Sequence, residues 1–362
     1  MTEDFVTQLR LQLREAALSE ERRSPVALRV VRARRGMPGP APLAAALAAV
    51  LLVLCVALGA LALRGEPEPV APKVVGVYPV AAELSPLAPG FGAVWTADPN
   101  RGQILRIDPA TRRVVARIPL RAEARVATGA GAVWALAGDL LYGGDRGPLR
   151  LLRIDPATNR VVARIPMLTP AGKPFGPLEL QIDHGVVWAV GRAGALRVDP
   201  RRNVADRFVA LNNATRGAVT DGDGVWVLTV DGRLRRLDAL SGRATSERRV
   251  RMPADAHLFP GLPGTLALIG DNQIALLDVP SGRRLWRTSL AGEVRYSLAD
   301  DDVLWVDVSR APVEPEHLVR LDADSGRPRG QVAMPEPGVA GMAKVGRDIW
   351  VATPSGRIVV VR

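Results

Sequence analysis

The sequence predicts an all-β fold: a seven-bladed β-propeller over residues 74–362, closed by an N-terminal strand and preceded by one transmembrane helix and a short N-terminal helix. Three observations predict it. A segment of about 40 to 50 residues, itself reading as four short strands, recurs along the chain. The last copy stops one strand short. An unattached strand-like segment, VVGVYPV at Val74 to Val80, supplies the missing piece.

The elements follow in chain order. Residues 1–40 read as a basic cytoplasmic segment, in which Thr2 to Arg23 forms a short amphipathic helix with Phe5, Leu9, Leu13 and Ala16 on one face. Residues 41–63, APLAAALAAVLLVLCVALGALAL, carry no charge and are long enough at ~1.5 Å per residue to cross a hydrocarbon core of about 30 Å. Arg22, Arg23, Arg29, Arg32, Arg34 and Arg35 crowd the N-terminal side of this stretch, whereas only Arg64 and Lys73 follow it closely. The positive-inside rule then places the N-terminus in the cytoplasm and the rest outside it, as a single-pass membrane protein. A cleaved signal peptide ending near Ala60-Leu61-Ala62 is the alternative. Residues 64–73 form a Pro-rich linker, EPEPVAPK at its core, stiff and extended.

From Gly92 the repeats begin. GAVWTADPNRGQILRIDPATRRVVARIPL is followed by a copy at Gly131 ending LLRIDPATNRVVARIPM, and others begin at Gly185, Gly224, Gly264, Asp302 and Asp348. Each has an apolar strand, usually with Trp, then a turn, a strand ending in Asp, a tight turn and a strand like VVARIPL. The seventh ends at Arg362, which aligns with Asp108, Asp155, Asp199, Asp238, Asp278 and Asp322 of the other copies. Pairing Val74 to Val80 with this tail closes the ring and hides two open sheet edges.

Trp95, Trp134, Trp188, Trp226, Trp305 and Trp350 hold equivalent positions, with Ala267 in the fifth copy. A row of ligand-stacking platforms is one reading; packing between blades is the expected one, since each ring buries on the order of 150–250 Å². Ala267 predicts a looser fifth blade unless a neighbour fills the gap. The six repeated aspartates could suggest a carboxylate array, but Asp before Pro, or opening D-A-x-S-G, is expected to cap its own turn.

Composition excludes several functions. The net charge is +11, carried almost wholly by arginine, since Lys73, Lys173 and Lys344 are the lysines. These arginines are scattered through the repeats, and only 4% of residues are aromatic, so a nucleic-acid partner is not expected. The one cysteine, Cys55, lies in the apolar stretch, which rules out an internal disulfide and a Cys-based zinc site. No nucleophile elbow, phosphate loop or His-Glu-x-x-His run occurs. No cofactor, metal ligand set or catalytic residue is assigned.

The copies, especially GAVW followed by LRIDPATxRVVARIP, resemble the YVTN-type propeller repeats shared by bacterial surface-layer-like proteins and virginiamycin B lyase. The resemblance covers most of Val74 to Arg362 and implies the propeller fold. The lyase reading would further imply a His and Glu cluster with a magnesium ion on one face; no residues here match that cluster one by one.

In a four-stranded blade, the loops from the fourth strand to the next blade and from the second strand to the third share one face. Those are the variable loops of this chain, and irregular loops on a rigid scaffold are where binding sites sit. The ligand-binding candidates there are Arg125, Glu179, Arg216, His257, Arg295, Tyr296 and His317, with Tyr142, Arg146, Lys173, Phe175, Gln181, Phe259 and Glu316 nearby in sequence. Arg125, Arg216 and Arg295 suggest a mouth attractive to anions. His257 and His317, from different blades, are candidates to converge; His184, in the turn IDHG, is expected on the opposite face as a hydrogen-bonded turn residue. The functional expectation is an extracytoplasmic, membrane-tethered binding or scaffolding module for an unidentified protein or small ligand on the loop face. The alternatives are a propeller enzyme of the lyase, lactonase or quinone-dehydrogenase type, and a transmembrane signalling regulator.

Overall fold

The computed structural model describes residues 71–138, 149–211, 213–251, 253, 255–310 and 315–362. The segments expected to form the N-terminal helix, the transmembrane helix and most of the linker, together with Tyr142 and Arg146, lie outside the described residues. Among the described residues, no helix is long and apolar enough to cross a membrane.

Twenty-eight strands form seven four-stranded antiparallel sheets among these residues. Six sheets take four consecutive strands each. The seventh combines Gly341–Val345, Asp348–Ala352 and Arg357–Val361 with Val74–Pro79 from the other end of the propeller. Val74 pairs with Val361 and Pro79 with Arg357. Reciprocal bonds carry the ladder one residue further: the Lys73 N–H donates to Arg362 O at 2.9 Å, and the Arg362 N–H to Lys73 O at 3.0 Å. Pro72 is buried, so the last residues of the Pro-rich linker are part of the folded ring. Arg112 of the first sheet stacks 4.8 Å from the Tyr78 ring centroid and donates to its hydroxyl at 2.6 Å, tying the closing strand to its neighbour.

The first strands of the sheets are Ala88–Gly90, Glu123–Gly129, Pro177–Asp183, Thr215–Thr220, His257–Pro260, Glu293–Asp300 and Gly341–Val345. Each touches the first strand of the next sheet in an unbroken circle, which defines the central channel. Second strands such as Ala93–Asp98 and Gly224–Thr229 are buried along their whole length, because sheets stack against them on both faces. Fourth strands such as Arg113–Pro119 alternate exposed and partly buried residues at the rim.

Seven buried apolar clusters lie between successive sheets, one per interface. Trp134 shares its cluster with Val187 and Ala189 of the next sheet, and Trp350 shares one with Val94 and Ile107 of the first, so the tryptophans are interblade packing. Arginine completes several interfaces. The Arg106 guanidinium lies 5.3 Å from the Trp95 ring centroid and donates to Pro156 O at 2.9 Å in the next sheet's turn. Arg153 repeats this with Trp134 (5.8 Å) and Pro200 O (2.7 Å).

The fifth blade is not loose. Trp286, on its fourth strand, enters the cluster holding Ala267, Leu304 and Val306. Its indole N–H donates to Ala323 O at 2.7 Å, as that of Trp188 does to Ala239 O at 2.9 Å two interfaces earlier. In both cases the glycine of the facing D-A-x-S-G turn is required. A Cβ on Gly326 would sit 2.5 Å from Trp286, and one on Gly242 would sit 2.8 Å from Trp188.

All six repeated aspartates cap their turns. Asp155, for example, accepts from the Ala157 N–H at 2.9 Å and the Thr158 hydroxyl at 2.8 Å, and Asp322 accepts from the Ser325 N–H at 2.7 Å.

Candidate functional site

First strands are sheet edges, with backbone groups that no fifth strand satisfies. Side chains of adjacent blades cover them. Glu179 accepts from the Ala218 N–H at 2.8 Å, and Gln181 donates to Ala218 O at 2.6 Å, so two residues of the third blade satisfy both backbone groups of one residue in the fourth. Arg125 likewise donates to Leu178 O, and Ser85 to Ala124 O at 3.2 Å. β-Bulges loosen three first strands near the same end, between Pro177 and Glu179, Thr215 and Ala218, and Val294 and Tyr296. A bulge adds an unpaired residue and re-aims the side chains around it. Arg216 and Arg295 are set at two of these bulges.

The mouth of the channel on this side is a cavity of about 1180 Å³. It opens on the face of the variable loops. Its wall includes Glu83, Glu123, Arg125, Glu179, Gln181, Asp255, His257, Phe259, Asp271, Glu293, Arg295 and Tyr296. Phe259 and Tyr296 meet edge to face with centroids 6.1 Å apart.

Of the seven sequence candidates, Arg125, Glu179, His257, Arg295 and Tyr296 line this cavity, while Arg216 and His317 do not. The two histidines therefore do not share it. The His317 Nδ1, at the start of a third strand, is buried without a partner among the described residues. Arg216 acts from nearby: burial and then the Arg216 charge hold the His257 pKa below the usual imidazole range. Phe175 is core, 4% exposed and edge-on to Phe208 at 5.4 Å, and Lys173 sits in an exposed turn. His184 occupies its turn at positive φ, with Nδ1 3.0 Å from the Asp183 carboxylate.

The expected anion-attracting mouth is corrected. Six carboxyl-bearing residues line the cavity against Arg125 and Arg295. Arg295 is already engaged, 2.9 Å from Glu293 and 3.2 Å from Glu316. Sequence reasoning missed Glu83, Glu123, Asp255, Asp271 and Glu293. A signal existed: the first strands carry Glu-x-Arg or Glu-x-Gln three times, at Glu123/Arg125, Glu179/Gln181 and Glu293/Arg295.

Burial governs the carboxyl groups here. It raises the Glu179 pKa, against the opposing Ala218 N–H. For Asp255, burial is outweighed by hydrogen bonds, chiefly the Asp271 N–H at 2.8 Å, and its pKa is lowered; its carboxylate in turn raises that of Asp271. Directly across the strand from Tyr296, Asp307 is fully buried, and neither of its oxygens has a hydrogen-bond partner among the described residues. Burial and then the Glu316 carboxylate push the Asp307 pKa up to about 8. Among the described residues, no group of three or more His, Cys, Asp or Glu side chains is arranged to hold a metal ion.

In comparisons with known proteins, the β-propeller family model PQQ_2, described as "Outer membrane protein assembly factor BamB", matches residues 230–362, which span the last strands of the fourth blade through the seventh. A search among curated proteins found no match. The chain is thus a seven-bladed β-propeller with a part similar to the BamB-like propeller family.

Proposed function

We propose that this propeller is a binding or scaffolding module, held at the outer face of a bacterial membrane by residues 41–63, that receives its ligand or partner at the acidic, aromatic-edged channel mouth. The observation that carries this reading is the cavity itself: about 1180 Å³, on the variable-loop face, walled by side chains from most of the blades. The partial match to a family described by its part in outer membrane protein assembly supports a protein-facing role. The repeat motif around RIDPAT, shared in type with YVTN propellers, supports placement outside the cytoplasm. The test is affinity capture with the full chain in neutral detergent. A specific partner should be lost with Phe259→Ala/Tyr296→Ala while circular dichroism shows the strands retained; capture indifferent to that variant counts against the mouth as the site. Reporter fusions at either end check the orientation.

One arrangement favours a second reading, as an enzyme. Asp255, Asp271 and His257 lie together on the cavity wall, and a pair of carboxyl groups with split pKa values beside an imidazole is the raw material of acid–base chemistry. Thermal stability that rises with Mg²⁺ or Ca²⁺ and is insensitive to Phe259→Ala/Tyr296→Ala would favour it over the binding module.

A further inference from the structure

We infer that the channel mouth selects an extended organic cation, a run of ammonium or guanidinium groups such as a linear oligoamine or a Lys/Arg-rich peptide segment. This rests on the binding reading above and names the chemistry of its ligand.

Four observations point the same way. The chain carries +11 overall, yet Glu83, Glu123, Glu179, Asp255, Asp271 and Glu293 gather on one cavity wall. Six carboxyl-bearing residues against Arg125 and Arg295 leave the wall with an excess of acidic groups, and a cleft in which one sign of charge predominates concentrates counter-charged ligands. Second, these residues come from different parts of the ring: the loop before the first blade, then the second, third, fifth and sixth blades. They do not converge as metal ligands among the described residues. Charges spread around a mouth this wide fit several cationic groups along a chain better than one compact ion.

Third, the wall includes the Phe259 and Tyr296 rings, whose faces attract ammonium and guanidinium groups and do little for a hydrated metal ion. Fourth, Asp307 lies on the same sheet face as Tyr296, fully buried, with both oxygens lacking a donor among the described residues. Cross-strand partners share a face, so this carboxyl group lies next to a residue of the aromatic wall; burial holds it protonated up to about pH 8, and an arriving ammonium or guanidinium group would favour its ionised form and supply the donor its oxygens lack. The mouth arginines do not reverse the sign: Arg125 is bonded to a neighbouring carbonyl and Arg295 to two glutamates.

The test is calorimetric titration of the full chain in neutral detergent with spermidine, a Lys/Arg-rich octapeptide, MgCl₂ and inorganic phosphate in turn. Spermidine, the peptide or both should bind, and which of them binds more tightly separates a free amine from a peptide. That affinity should fall at least about five-fold in Glu83→Gln/Glu123→Gln and fall again when salt is raised from about 50 to about 300 mM. Neither Glu83 nor Glu123 has a hydrogen-bond or ion-pair partner among the described residues, so the double variant should melt as the parent does. Tyr296→Leu, which removes the ring face but keeps the bulk, should weaken binding several-fold and guards against a misfolded double variant. Phosphate as the tightest binder, Mg²⁺ binding as tightly as spermidine, or organic cations bound equally well by the Gln variant would each overturn the inference. If neither cation binds while a captured partner still depends on Phe259 and Tyr296, the cation class falls and the binding module stands.

Discussion

The two faces of the disc use the same residue type in opposite ways. On the short-turn face, aspartate ends the third strand of six blades and is bonded within its own turn. Turn hydroxyl and N–H donors hold Asp108, Asp155, Asp238, Asp278 and Asp322 below the usual carboxylate range. On the loop face, Asp255 is held low by its own hydrogen bonds, but burial raises Glu179, Glu316 and Asp307, and both oxygens of Asp307 lack a donor among the described residues. A satisfied carboxylate stabilises the fold and has little capacity left for a ligand. A buried, unsatisfied one costs stability and keeps that capacity. The contrast assigns the repetitive face to holding the ring together and the irregular face to recognition.

The largest effect expected from this division is on the frame. Trp286 is 8% exposed, fills the space that Ala267 leaves, and bonds the carbonyl next to the Asp322 cap. Trp286→Ala should cost about 3–5 kcal/mol in denaturant unfolding, as truncations of large buried side chains do. The folded variant should bind at the mouth as the parent does, because the indole lies away from the cavity wall. A loss under about 1 kcal/mol would mean that this interface is carried by something else, and altered binding would mean that the faces are not independent.

The same division explains what the sequence could show. Blade number, the closing strand and the aspartate caps were readable because each rests on a local rule repeated six or seven times: a period-two strand, a turn with Asp and Pro or Ser-Gly, a missing strand matched by an orphan. The site was partly readable. Arg125, Glu179, His257, Arg295 and Tyr296 sit where strand order and loop variability put them. The sign of the mouth was not, because it depends on which side chains from separate blades meet across the channel. Arg216 and Arg295 looked like free charges, but bulges and neighbouring groups decide what they face. Trp286 was invisible as a substitute for Ala267, since it comes from another strand and no spacing rule links the two. Asp307 sits in an apolar second strand, VLWVDVS, and only the burial of that strand gives it meaning.

Asp307 gives the next effect in size and tests the unsatisfied side of the comparison. Its folded pKa, about 8, lies above the ordinary carboxylate value of 3.8, so the folded state binds the extra proton. Stability therefore falls as pH rises between about 4 and about 8 and is flat with respect to this group above that. Asp307→Asn keeps the shape without the ionisation. The variant should match the parent near pH 4 and exceed it by on the order of 2–4 kcal/mol at pH 8 in urea titrations. A gap that does not grow with pH would show that Asp307 is ionised in the folded protein.

Asp322 is the smaller counterpart, with the opposite sign. Hydrogen bonds from the Ser325 hydroxyl and N–H lower its folded pKa, so its contribution is fully present above the unfolded value near 3.8 and is lost as pH falls through the lower folded value. Asp322→Ala should cost about 1–2 kcal/mol at pH 7, the net worth of two bonds to a charged acceptor. That cost should stay constant from about pH 5 to pH 8, where the Asp307 gap is widening, and shrink below about pH 4. Parent and two variants, unfolded across one pH series, then separate the faces directly: one gap opens toward base and the other closes toward acid. If both gaps followed the same pH course, the carboxylates of the two faces would be doing one job, and the division between frame and mouth would have to be abandoned.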